Sequence, residues 1–339
     1  MPDHHVDGTS LVATAVHLLV PEAHESWCSP PVLSPPLSSS CVLLTPPEAL
    51  ANAFIQDSVA NGSSPFQVAW YTSDTTYSIL YLQSSLIDVG ITYNPAAEQI
   101  AIDQGIALAP SYYAFRDHFL FVGPMANPAN LSVDGSEDVE TMFSDLRVAA
   151  DGVATDPPVR FLSRYDKSAT NIKESALWVG IGQVGANVAE TMVHRLRSKV
   201  PWATAYSTWY HQYIAFPIQA LTAAILLQEY TLTDRGTLLS LDPSLRNQTV
   251  IYKAGSDDAS DPLLNPAHLL VSTKAPNPGM ATAFAQWLVG DRGQGVINSF
   301  EKGGEQLYSV APTNATAQTT AAGSNSTALR RRRSRVWVS

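Results

Sequence analysis

The sequence predicts an α/β protein of two lobes, each a mostly parallel sheet flanked by helices. Three observations predict it. The chain has 339 residues, too many for one module when domains commonly run ~100–200 residues. Hydrophobic residues make up 45% and charged residues 15%, a globular balance rather than a disordered one. From Pro46 onward, short apolar runs alternate with stretches of helical periodicity, the rhythm of parallel strands joined by helices.

Residues 1–45 read as irregular, because Ser29-Pro30-Pro31 and Ser34-Pro35-Pro36 remove backbone donors and fix φ. Order begins with a helix at Pro46, where two prolines in the first turn precede Ala49, Leu50, Ala53 and Phe54. Asn61-Gly62 ends it. Residues 66–71 alternate as a strand, 76–85 fit a short helix, and 87–93 are an apolar strand. A helix over 98–104 and a buried strand over 118–123 follow. The middle repeats the pattern: helix 139–149, strand 159–163, helix from 171. Residues 208–229 read as one long helix kinked at Pro217. A strand at 268–272 and an amphipathic helix at 280–289 close the folded part, and 313–339 reads as a disordered tail.

The formal charge is −10, and the last 27 residues hold five arginines and no acid. The remainder carries 15 basic against 30 acidic side chains. So acidic a body excludes a nucleic-acid partner, which requires a basic face. No run of 18 apolar residues occurs, so no membrane span is expected. The apolar stretch 11–20 follows Asp3 rather than lysine or arginine, so no export signal is evident. Cys28 and Cys41 lie in the Pro/Ser-rich stretch and form no disulfide framework. Five Asn-x-Ser/Thr sequons, at Asn61, Asn130, Asn247, Asn314 and Asn325, point the other way, toward a glycosylated, exported protein.

No P-loop, G-x-G-x-x-G, G-x-S-x-G or H-E-x-x-H occurs, and the eight histidines include no metal-ligand spacing. No catalytic residue, metal or cofactor is assigned. The stretch that carries chemistry is 161–178, where a strand ends at Ser163 and a helix begins near Thr170. Between them lie Arg164, Asp166 and Ser168. Helix-start N–H groups and hydroxyls donate to an oxyanion, and a guanidinium adds a fixed fork. Asp166 would orient Arg164. The bland alternative is that Ser168 or Thr170 only caps the helix while Arg164 pairs with Asp166.

This stretch resembles the S-R-G-D-D-S-G-T-H-x-x-E signature of the tungstate/molybdate-binding proteins of ABC importers, and secreted fungal relatives of that family look closer still. Ser163, Arg164, Asp166, Ser168, Thr170 and Glu174 match. Residues 230–237 resemble its Y-T-L-T-D-R-G-T block and 263–266 its L-L-N-P. Trp287, Leu288, Gly293 and Gln294 resemble its W-L-x-S-x-x-G-Q. In the first part, 117–129 is similar to N-D-F-x-x-V-G-P-x-x-D-P-A. The resemblance covers about residues 48–312.

It implies a two-lobed periplasmic-binding-protein-like fold of type II, closing on a small oxyanion such as tungstate or molybdate. Residues 46–125 plus 262–312 would form lobe one and 126–261 lobe two, with crossings at 119–122 and 268–271. Arg164, Ser168 and Thr170 would contact the anion from one lobe. Ser73, Thr75 and Thr76, which align with the family's G-T-G region, would approach from the other. The implied protein is an extracellular or cell-surface monomer and no enzyme. Four positions depart from the signature: Tyr165, Lys167, Ala169 and Asn171 stand for Gly, Asp, Gly and His. The family's first strand and ligand loop have no match in 1–45, and 185–200 reads as an insertion. Two alternatives remain: an enzyme on the same scaffold using Asp166 with His118, and a glycosylated wall or interaction protein whose site has decayed.

Overall fold

The computed structural model describes residues 14–19, 46–182 and 208–313. The expectations for 185–200 and for the tail beyond 313 lie outside the described residues. Helix α1 (Pro46–Ala60) starts on its two prolines with Glu48 in the first turn, and Gly62, at φ +94°, turns the chain out of it. Strand β2 (Gln67–Thr72) leads to α2 (Thr75–Gln83), whose cap is the Asp74 side chain accepting from Tyr77 N–H. Strand β3 (Val89–Thr92) leads to α3 (Pro95–Asp103), capped by Asn94 with proline in the first position.

Strand β4 (Tyr112–Pro124) spans 13 residues and belongs to both sheets. Its residues from Tyr112 to His118 pair with β9 (Leu264–Val271). From Phe119 it pairs with β7 (Tyr230–Asp234), and from Leu120 also with β8 (Thr249–Ala254). The change of sheet therefore falls between His118 and Phe119, at the start of the stretch expected to cross. The return runs through Gly255–Leu263, since Phe119 N–H donates to Leu263 O and Gly255 N–H to Phe119 O, each at 2.9 Å. Residues 268–271, expected as the return, sit inside the first sheet instead, paired with β3.

The first sheet runs β2-β1-β3-β9-β4, with β12 (Ser309–Val310) also on β4. Strand β1 is Thr14–Leu19, six residues of the segment expected to be irregular. It lies antiparallel between β2 and β3, Thr14 opposite both Thr72 and Ile91. Two strands that would otherwise each present an open ladder edge give these residues their pairing, despite the proline-rich sequence that follows. The second sheet continues β4-β7-β5-β6, with β5 at Phe161–Ser163 and β6 at Tyr210–Gln212.

Strand direction within the two sheets is set by the order of the strands. The strands β2, β3 and β4 run one way but are interleaved with β1 and β9, so their ladders are antiparallel. Parallel ladders join β5 to β6 and to β7.

Helices α4 (Val139–Asp151) and α5 (Ala169–Gly180) flank β5 in the chain. The long helix expected over 208–229 is divided. Its first part is β6, and α6 (Pro217–Leu226) takes Pro217 as its first residue. Phe216 is extended, as a residue preceding proline prefers, so the proline begins the helix rather than kinking it. Then come α7 (Arg235–Ser240), α8 (Pro243–Arg246), α9 (Pro278–Val289) and α10 (Asp291–Asn298). A hairpin of β10 (Glu301–Lys302) and β11 (Glu305–Gln306) precedes β12.

Each sheet has its own core. Leu50, Phe54, Ile91, Phe115, Leu269 and Phe284 pack around the first. Phe121, Phe143, Phe161, Trp178 and Tyr230 pack around the second, with the Phe143 and Trp178 rings 4.5 Å apart. Each such buried side chain contributes about 1.5–3 kcal/mol relative to exposure. Ala169, at the start of α5, packs against both cores. Among the described residues no helix is long and apolar enough to cross a membrane.

Candidate functional site

The strand–turn–helix at 161–180 is built from short-range polar contacts. Ser163, the last residue of β5, is fully buried, and its carbonyl accepts from Tyr213 N–H at 2.8 Å. Its Oγ accepts Tyr165 N–H at 3.2 Å and Asn171 Nδ2 at 3.4 Å. Ser168 caps α5, its Oγ accepting Asn171 N–H at 3.4 Å. Asn171 closes the turn from the other side, accepting Lys167 N–H at 3.1 Å on Oδ1.

Two turn residues stand in left-handed geometry, Tyr165 at φ +45° and Lys167 at φ +64°. Neither is glycine, and such conformations persist only where surrounding contacts impose them. The turn keeps a glycine-like backbone at Tyr165, where the resembling signature has glycine. Ala169 is the first residue of α5 and has no left-handed backbone, so the second missing glycine imposes no strain there.

Arg164 is buried, 8% exposed. Its Nε donates to Ala215 O at 3.3 Å, Nη1 to Thr170 Oγ1 at 3.4 Å, and Nη2 to Asp166 Oδ2 at 2.5 Å. Three of the five guanidinium N–H groups thus have acceptors among the described residues. Asp166 Oδ1 accepts Ser168 N–H at 3.1 Å, so one carboxylate holds both the guanidinium and the residue that caps the helix. Capping by Ser168 and pairing of Arg164 with Asp166, the bland reading of this motif, are both present. They orient donors at a helix start, which is compatible with an anion there. Ser168 and Thr170 are buried, whereas Lys167 is exposed.

Beneath the turn, Glu174 accepts a hydrogen bond from Tyr210 Oη. Burial pushes its carboxyl up to about 7, against the lowering effect of hydrogen bonds from Tyr210, Ser163 and Asn171. The Tyr210 hydroxyl is in turn pushed up, first by burial and then by the Glu174 charge.

Ser73, Thr75 and Thr76 form a separate group at the start of α2. Thr75 is 1% exposed and its Oγ1 accepts Tyr93 N–H at 3.5 Å. Ser73 and Ser78 hydroxyls are 2.6 Å apart, and Thr76 is exposed. Asp74, the cap of this helix, puts a carboxylate among these hydroxyls. Asp166 thus gathers Arg164 and Ser168, and Arg164 in turn holds Thr170, whereas Ser73, Thr75 and Thr76 gather around the start of α2.

The pair considered for catalysis does not meet. His118 Nε2 bonds Asp257 Oδ1 at 2.9 Å, while Asp166 holds Arg164. Sequence reasoning missed the Ala215 carbonyl, Tyr210 and Asp257. The first two lay in a stretch read as one helix, and nothing local ties Asp257 to His118. Among the described residues no group of three or more His, Cys, Asp or Glu is placed to hold a metal ion.

The model of the PBP superfamily domain matches residues 44–292, most of the chain. The chain belongs to this family. A crystal structure of a periplasmic protein described as metal-binding is 59% identical, with a TM-score of 0.69, covering 78% of this chain and 91% of that one. A Haloferax volcanii protein described as an ABC transporter anion-binding protein is 28% identical over 230 residues, 65% of this chain and 56% of that protein. The tungstate-binding protein TupA of Peptoclostridium acidaminophilum is 25% identical over 227 residues, 65% of this chain and 67% of its own length. The chain thus spans little more than half of the Haloferax protein and two thirds of the Peptoclostridium one. The two-lobed α/β fold expected from the motifs is the PBP-family fold.

Proposed function

We propose that this PBP-family chain is an extracellular or cell-surface solute-binding protein that captures a small tetrahedral oxyanion, tungstate or molybdate, without catalysis. The carrying observation is Arg164: a buried guanidinium at a capped helix start, with three N–H groups spent on protein acceptors. Among the described residues two N–H groups have no acceptor, and fixed charge-assisted donors in a desolvated place bind oxyanions strongly. Ser168 and Thr170 are the neutral donors beside it, and Ser73, Thr75 and Thr76 are read as the contribution of the other lobe. The anion-binding and tungstate-binding relatives support the same reading.

The lobes are read as 46–125 with 262–312, and 126–261, in a monomer. The sequon asparagines Asn61, Asn130 and Asn247 are all exposed, as glycan acceptors must be in an exported protein. The test is thermal denaturation of the full chain with tungstate, molybdate, sulfate and phosphate. Tungstate or molybdate raises the midpoint, and Arg164→Ala abolishes the rise while the fold survives. No stabilisation by any of the four overturns the reading in favour of a decayed site.

A further inference from the structure

The contacts of α5 extend past its first turn. One turn beyond Thr170, Lys173 donates from Nζ to the Leu264 carbonyl, at 3.1 Å. The same ammonium lies 5.9 Å from the centroid of the Phe119 ring, within cation–π range. Burial lowers its pKa, partly offset by the charge of Asp261. The two partners are the residues at which the chain changes sheet. Phe119 is the first β4 residue paired in the second sheet, and its backbone bonds both ends of the return run, Gly255 and Leu263. Leu264 is the first residue of β9, paired opposite His118.

We propose that Lys173 is a positioning residue that ties the helix start bearing Ser168 and Thr170 to both chain segments joining the two sheets. Relative rotation of the lobes must alter backbone dihedrals near 118–119 and 255–264, and Lys173 is bonded to that region from the helix that begins at Arg164's partners. Ala169, packed against both cores, places the same helix start at the junction. Lobe orientation is thereby coupled to the geometry of the donors. The coupling of Lys173 to affinity rests on the oxyanion reading; the tie itself does not.

The experiment compares full-length wild type with Lys173→Met, which keeps the apolar stem and removes the ammonium, and with Lys173→Arg, which keeps a cation. Hydrogen exchange without ligand tests the tie. In Lys173→Met the peptides covering 117–123 and 255–266 exchange several-fold faster, while those of α4 and β3 keep wild-type rates. Lys173→Arg stays near wild type. Unchanged exchange, or a uniform rise in every peptide, overturns the proposal. Should the Met variant not fold, Lys173→Gln, shorter and neutral, is read by the same comparison. Tungstate titration then tests the coupling, with a dissociation constant raised about tenfold in Lys173→Met. Equal affinity in the two proteins overturns the coupling. Wild type that binds no tungstate overturns the oxyanion reading, while the exchange comparison still decides the tie.

Discussion

Asp166 and Arg164 are joined so that one carboxylate does two jobs: Oδ2 meets Nη2 at 2.5 Å and Oδ1 accepts the Ser168 N–H at 3.1 Å. A bare negative charge beside an anion site would repel the ligand. A carboxylate that fixes the guanidinium fork and the helix cap has the opposite effect. On the proposed oxyanion reading, Asp166→Ala is therefore expected to weaken tungstate binding by about tenfold or more, despite removing a negative charge. Isothermal titration at two salt concentrations checks it. Tighter binding in the variant would show that repulsion outweighs orientation.

Lys167 occupies left-handed backbone at φ +64° with an exposed side chain. That conformation costs a residue with a β-carbon about 1–2 kcal/mol, and glycine nothing. Glycine loses more chain entropy on folding, about 0.5–1 kcal/mol. Lys167→Gly is accordingly neutral or stabilising by up to about 1 kcal/mol, whereas β-branched Lys167→Val destabilises by more than that. Urea denaturation of the pair settles the order, and a Val variant as stable as the Gly variant would refute the strain.

How much of this was legible in the sequence follows from the range of the interactions. The helix start at Ser168 and the pairing of Arg164 with Asp166 were readable because cap and partner lie within six residues of one another. The Ala215 carbonyl on Arg164 was not, because it lies 51 positions away in a stretch whose apolar pattern continues through Pro217. There the parallel ladder of β6 with β5 outweighed helical periodicity. Strand β1 was hidden for a related reason: its pairing is set by the open edges of β2 and β3, not by its own surroundings. Lys173 carried no local signal, since both its partners come from the segments where the chain changes sheet.

Glu174 makes stability depend on pH in a defined direction. Its ordinary value is 4.5, and burial raises it to about 7 in the folded state. The folded protein thus holds this proton more tightly than the unfolded chain between those values. The stabilisation is complete below the lower value and is lost as pH rises through the upper one. Asp117 is also raised well above the carboxylate range, by burial and the Asp234 charge, but it is common to both proteins compared. Glu174→Gln, which keeps the shape and never ionises, is therefore expected to gain about 1–3 kcal/mol over wild type between about pH 5 and pH 8. Denaturation midpoints that run parallel across that range would show that Glu174 is not the titrating group.

Gly123 is required by a neighbour rather than by its own dihedrals. A β-carbon built there would lie 2.3 Å from Tyr230 Cδ1 and 2.8 Å from Cε1. The ring has no room to retreat: Tyr230 is fully buried, stacked beside Phe121 at 5.9 Å. Its hydroxyl is held by Asn127 Oδ1 at 3.0 Å and by Ala129 N–H at 3.1 Å. Relief in Gly123→Ala must come from shifting β4 against β7, the ladder that carries the second sheet onto the shared strand. The expected loss is about 1–3 kcal/mol, as for overpacking elsewhere. Tyr230→Leu in the same chain should recover part of it by vacating the ring position, so the double variant loses less than the sum of the single losses. Additive losses in chemical denaturation would mean that the contact with Tyr230 is not what excludes a side chain at 123.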